Sequence, residues 1–496
     1  MTTRRLFAAA AATLAFGLLC AARPSWSQST APTLKLHQGQ ISGLAGDGAI
    51  VYRGIPFAAA PVGPLRWRAP QPAANWTGVR DGSKAGNTCT QAMDCLYLNV
   101  HVPAGTKAGA KLPVMFWIHG GSFTGGSGSQ YDGSSFARKG VVVVTINYRL
   151  GREGFFAHPA LSAENKEDKG NYGIMDMIAA LEWSKANVAA FGGDPSKVTI
   201  FGESAGAIAV YDLMFSPEAK GLFTKAISES GFSRYQSQTL AEAETSGAEI
   251  AAKVGVKGTG ADALKALRAL PFDGLPKSSG LYDNGRPRPI IDGKTLPWSI
   301  PDAFAQGKEA KIPFMAGGNS NEASLLPTKN AQARINAAST KPVPYTGDPM
   351  KVANAMVTAA QILEPNRNAL RLHAKTSGEP VYFYYFSFVP VVQRATSPGA
   401  AHGSELNYVF NSLRPNAGPE DHTIAESMNA YWAAFAKYGD PAAAGGPKWP
   451  AWTPAKEDYM EFSGSGPMVG QHLQAAGLDW AQSELKGTQI AQRGDY

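Results

Sequence analysis

The stretch that most restricts this chain is VTIFGESAGAIA, residues 198–209. A β-prone run, Val198-Thr199-Ile200-Phe201, meets Gly202-Glu203-Ser204-Ala205-Gly206, and an apolar, helix-compatible run follows from Ala205 to Met214. A serine at a sharp strand-to-helix turn sits at strained backbone angles among close neighbours. Glycines two before and two after it relieve the crowding and leave the hydroxyl exposed. In a chain with 54 glycines the five-residue pattern alone is weak. Its flanks give it specificity, because they place Ser204 at a strand-to-helix junction.

The rest of the chain alternates the two element types. Residues 33–57 read as a hairpin turning at Gly46-Asp47-Gly48, with proline-rich loops from Ala58 to Pro72. Strands are predicted at 96–102, 112–118, 141–147, 312–316 and 380–388. Helices are predicted at 174–189, within 240–270 and at 421–437, the last with an apolar stripe whose Met and aromatic residues are core-forming. This alternation means α/β, a sheet covered by helices. The glycine-rich stretches take neither the dinucleotide nor the P-loop form, and no Cys/His cluster has metal-site spacing. No nucleotide, metal or other cofactor is therefore expected.

A second glycine loop follows the strand at 112–118. LPVMFWIHGGSFTGGSG runs from a hydrophobic strand into His119-Gly120-Gly121-Ser122-Phe123. Charge developing on an acyl oxygen needs converging backbone N–H donors, and small residues let the backbone approach that oxygen. The amide after the nucleophile, Ala205 N–H, is one such donor, and this loop can supply the others.

Several segments together resemble the type-B carboxylesterase or cholinesterase family of the α/β-hydrolases. They are YRGIPFAAAPVGPLRWRAPQP at 52–72, MDCLYLNVHVP at 93–103, the glycine loop, the helix from 170 and FGGDPSKVTIFGESAGA at 191–207. GGNSNEASLL at 317–326 and GAAHGSELNYVF at 399–410 resemble the family's acid and histidine segments. The resemblance spans about residues 33–465. It implies an α/β-hydrolase fold: a central, mostly parallel, twisted sheet flanked by helices, with long insertions shaping a gorge.

The resemblance also implies a Ser204–Glu322–His402 triad. Ser204 would attack an ester carbonyl, His402 would carry its proton, and Glu322 would orient the imidazole. Gly121, Ser122 and Ala205 fall at the oxyanion-donor positions, Gly120 shapes the turn, and Glu203 is an acidic neighbour of the site. His119 would support the loop from behind, and Glu405 would pack near the histidine loop without relaying to it. Three positions depart from the family pattern: Met93 where an acidic residue is usual, Met177 in place of glutamine, and Ser122 in place of glycine or alanine. Residues between Leu326 and Pro380 match no motif and are expected to shape the gorge or a lid. The small-molecule substrate is expected to be a carboxylic ester. The alternatives are a lactone, amide, carbamate or polycarboxylate (toxin side-chain) ester, or a non-catalytic relative.

The first residues, MTTRRLFAAAAATLAFGLLCAARPSWSQS, carry Arg4-Arg5 before an apolar run. That is an export signal over residues 1–27, similar to a twin-arginine signal, with cleavage before Gln28 or after Ala22. Residues 28–496 then form a single catalytic domain, periplasmic or secreted, with no stable membrane insertion. Removing the signal takes three arginines from a formal net charge of +7. The mild remainder has no basic block and excludes nucleic acid as a partner. The sequence leaves the oligomeric state open. Cys89 and Cys95 are the remaining cysteines, and an even pair in an exported chain reads as a disulfide, two buried thiols being the alternative.

Overall fold

A computed structural model describes residues 32–235, 237–277, 285–325 and 343–485. The expected export signal lies outside the described residues, as does the first part of the stretch without motifs. An eleven-stranded sheet runs through the molecule. In chain order its strands are β1 (Leu44–Ala45), β2 (Ala49–Pro56), β3 (Tyr97–Pro103), β4 (Leu112–Ile118), β5 (Val142–Ile146), β6 (Gly193–Glu203), β7 (Lys225–Glu229), β8 (Phe314–Asn319), β9 (Val381–Phe386), β10 (Asp458–Ser463) and β11 (Gly466–Gln471). Their spatial order is β11-β10-β9-β8-β7-β6-β4-β5-β3-β2-β1. The pairs from β5 through β4 and across to β10 are parallel, and those at both ends are antiparallel.

The central strands are buried along most of their length because helices cover both faces. VVVTI of β5 is buried at every position. Alternate residues divide into two cores. Phe116, Ile200, Ala226, Phe314 and Phe383 face one side. Met115, Trp117, Phe201, Ile227, Met315 and Tyr384 face the other. Helices α1 (Tyr172–Asn187) and α2 (Ala205–Phe215) serve the first core, and α3 (Glu364–Ser377) also packs there through Ala369 and Leu370. Helix α4 (Pro419–Tyr438) covers the second with Met428, Trp432 and Phe435. Among the described residues no helix is long and apolar enough to cross a membrane.

One expectation needs amendment. The hairpin at Gly46–Gly48 exists, but it joins only β1 and β2, and residues 34–42 belong to a separate three-stranded sheet with Val79–Asp81. Strand β7 and the β10–β11 hairpin carry no expectation above, yet β7 is central to the sheet. The described part of the stretch without motifs packs its helices on the first core through Val352, Met356, Leu363 and Leu370. Cys89 and Cys95 form a disulfide. Met177 is fully buried in the first core, where an apolar side chain suits its surroundings. Arg149 lines the same small cavity as Met93. Its guanidinium is held by both oxygens of Asp176, at 2.8 and 2.7 Å, so it does not depend on a carboxylate at position 93.

Candidate active site

Ser204 stands between β6 and α2 with φ +54° and ψ −119°. A non-glycine residue holds such angles only where its surroundings over-determine them. Here Ser204 N–H donates to Glu229 C=O at 2.9 Å, and α2 begins at the next residue. The flanking glycines are there for clearance. A Cβ on Gly206 would fall 2.1 Å from the Ile118 carbonyl oxygen, and one on Gly202 2.6 Å from that of Gly206. Strand, turn and helix thus pack backbone against backbone.

The glycine loop leaves β4 alongside this elbow. Gly121, Ser122 and Phe123 all have positive φ, +103°, +55° and +58°. Gly120 does not share that conformation. A Cβ there would meet Glu203 Oε2 at 2.5 Å and Ser204 Cβ at 3.1 Å, so Gly120 allows the loop to press against the elbow. His119 is fully buried behind it, stacked on Tyr148 at 4.4 Å, with Nδ1 2.8 Å from Gly120 O. Burial holds its pKa down to about 4, so it is a neutral support. Ser122 is exposed, and with Thr124, Leu150, Arg152, Phe272 and Arg286 it lines a cavity of about 400 Å³.

Glu322 and His402 meet across two loops. Glu322 Oε2 is 2.6 Å from His402 Nδ1, and its Oε1 accepts from Ser230 Oγ and Asn319 N–H, each at 2.6 Å. The loops are stitched together directly. Asn321 N–H donates to Ala400 C=O, Ala400 N–H to Ser320 Oγ and His402 N–H to Ser324 Oγ, each at 2.8 Å. Thr358 Oγ1 accepts from Glu322 N–H at 3.1 Å, so the formerly unassigned stretch braces the acid.

The other edge of the imidazole faces Glu203, with Nε2 2.9 Å from Oε1. That contact is at ion-pair distance but misaligned for a hydrogen bond, and Nε2 has no hydrogen-bond partner among the described residues. Burial by itself would lower the His402 pKa. Glu203 and Glu322 outweigh it and hold the imidazole well above its usual value. Glu405 is fully buried and takes a hydrogen bond from Asn319 Nδ2. Burial, reinforced by Glu203 and Glu322, pushes it up to about 8.

The structure therefore brings Glu322 and His402 into contact, sets His402 against Glu203, the residue before Ser204, and lays Gly120, the residue before Gly121 and Ser122, against the same elbow from which Ala205 leads into α2. Sequence reasoning missed Ser230 and Glu229. Glu229 ends β7 and Ser230 follows it directly, and their signal was the run KAISESG after a gap of the right length for a strand.

The Carboxylesterase family matches residues 30–343 and 344–480. The chain belongs to the carboxylesterase family. It is 37% identical to the fumonisin B1 esterase of Sphingopyxis macrogoltabida over 92% of each chain. It is 34% identical to the para-nitrobenzyl esterase of Bacillus subtilis, over 84% of this chain and 91% of that protein. The solved carboxylesterase EST55 of Geobacillus stearothermophilus superposes with a TM-score of 0.75 at 32% identity, covering 90% of this chain and 99% of that one. As a member of this family, the protein is an esterase-type serine hydrolase built on the α/β-hydrolase fold.

Proposed function

We propose that this carboxylesterase hydrolyses carboxylic esters through an acyl-enzyme on Ser204. The observation that carries the reading is the 2.6 Å contact between Glu322 and His402 beside a serine strained at a strand-to-helix elbow. His402 takes the Ser204 proton as the hydroxyl attacks the carbonyl carbon, then gives it to the departing alcohol. Water follows by the same route and releases the acid. Glu322 fixes the imidazole's orientation and stabilises its cation. The N–H groups of Gly121, Ser122 and Ala205 stabilise the oxyanion. Mass spectrometry after reaction with an aryl phosphonate tests this: the label is expected on Ser204 and absent in Ser204→Ala. A label elsewhere, or an active alanine variant, refutes it.

One observation favours a narrower reading. Basic residues Arg152, Lys277 and Arg286 line the cavity beside Ser122, where Asp273 is held by Lys277 at 2.7 Å and Glu153 by Arg66. With both acids already paired, esters carrying free carboxylates, the polycarboxylate class, suit that wall. The relation to an enzyme called fumonisin B1 esterase gives this reading a curated neighbour. Rates on matched neutral and carboxylate-bearing acyl esters decide between the two. We further infer export of residues 28–496 as one catalytic domain after loss of residues 1–27, a setting in which the Cys89–Cys95 disulfide persists.

A further inference from the structure

Glu203 and Glu229 are register partners on the adjacent parallel strands β6 and β7. Such partners point to the same face of a sheet, with backbones about 4.8 Å apart. Both side chains are buried, Glu229 completely. Across the same row lie Gly317 of β8 and Tyr384 of β9. Glu229 Oε1 accepts from Trp432 Nε1 of α4 at 2.8 Å, and Oε2 has no donor among the described residues. Burial disfavours the charge of Glu229 most, Glu405 and Glu203 add to that, and the Trp432 hydrogen bond opposes them. Tyr131 and Tyr384 complete the surroundings, with their phenols close to Glu229 and Glu405.

Two adjacent buried carboxylates do not both ionise, and their environments decide which one keeps the proton. Glu203 lies 2.9 Å from the imidazole of His402. Glu229 is remote from any cation in these contacts and has one donor for two oxygens. We propose that Glu229 stands as a neutral carboxylic acid, a positioning residue whose proton leaves Glu203 to bear the negative charge at the Nε2 edge of His402. The proton sits on Oε2, the oxygen that Trp432 does not use. A neutral Glu229 thereby sets how strongly the imidazolium is favoured during acylation, without touching substrate.

The kinetic part rests on His402 acting as the base; the spectroscopic part does not. Infrared difference spectra between wild type and Glu229→Gln at neutral pH are expected to show loss of one C=O band of a buried, protonated carboxylic acid. No lost band, or loss of an ionised carboxylate band instead, overturns the proposal. Glutamine reproduces the neutral acid, so Glu229→Gln should keep the acid limb of kcat/KM within roughly 0.3 pH unit of wild type. Glu229→Leu removes the donor. The imidazolium of His402 is then favoured less, and the limb should move to lower pH by more than about half a unit, roughly a threefold change in apparent acidity constant. A glutamine variant displaced as far as the leucine variant, or a leucine variant not displaced at all, overturns the positioning role. If the leucine variant does not fold, the infrared result alone decides.

Discussion

The Ile118 carbonyl oxygen lies where a side chain on Gly206 would begin, 2.1 Å from the ideal Cβ position. Strand β4 and helix α2 are in contact there through main chain alone. Gly206→Ala must therefore push the helix off the strand, and with it the Ala205 amide and Ser204. We expect a destabilisation of about 3 kcal/mol or more, seen by urea unfolding. Phosphonate labelling of Ser204 should slow by about 100-fold even where the variant folds, since a displacement of about 1 Å suffices for that.

Replacing Glu322 by Gln tests the charge separately from the geometry. Glu203 and Glu322 hold the His402 pKa above its ordinary 6.5. Activity rises with pH as the imidazolium loses its proton, so deleting one carboxylate lowers that pKa and moves the acid limb of kcat/KM to lower pH. The plateau should fall by up to about 10⁴-fold, because the neutral amide no longer stabilises the cation formed in the transition state. The same shift has a stability consequence. The His402 contribution is fully present below pH 6.5 and is lost as pH rises through its folded pKa.

Glu405 gives a stability test of opposite chemical origin. Its folded pKa of about 8 lies above the ordinary 4.5. Between those values the native chain holds a proton that the unfolded chain has released, so stability falls as pH rises across the window. Glu405→Gln should flatten that slope in urea midpoints, and it should gain most over wild type at the alkaline end.

Ser122 occupies a left-handed conformation at φ +55°, which costs an L side chain roughly 1–2 kcal/mol. Ser122→Gly should recover about 1 kcal/mol of stability by chemical denaturation, whereas Ser122→Ala should recover none.

The Cys89–Cys95 bridge closes a short loop, so its removal should cost no more than roughly 2 kcal/mol. Thiol titration of the denatured, unreduced protein should find no free cysteine. Reduction should leave phosphonate labelling at moderate temperature intact.

The elbow and the glycine loop were legible in the sequence because their chemistry is local: Gly202, Gly206 and Gly120 are demanded by neighbours whose own residues lie in recognisable runs. Glu322 and His402 were legible only through the resemblance of their segments, since nothing near either residue in the chain states that the loops meet. Strand β7 was illegible for a different reason. KAISE is five residues long with charged ends, and it becomes a strand by lying between β6 and β8. With it went Ser230 and Glu229, whose roles depend on neighbours in register and not in sequence. Thr358 was equally silent, a lone hydroxyl in a helical stretch.

The stitching between residues 319–324 and 400–402 has a mechanical meaning. Acid and base ride on one splint, tied by main-chain and side-chain hydrogen bonds at several points, while the serine rides on a separate piece welded to β4. The two pieces meet through β7, where Glu229 C=O takes the Ser204 N–H and Ser230 Oγ donates to Glu322, and through Glu203 facing His402. The spacing of imidazole and hydroxyl is thus set by contacts between pieces, and that of imidazole and carboxylate by one direct contact. Changes that tune turnover without harming the fold are therefore expected to gather where the two parts abut, around Glu203, Gly403 and the Gly120 contact.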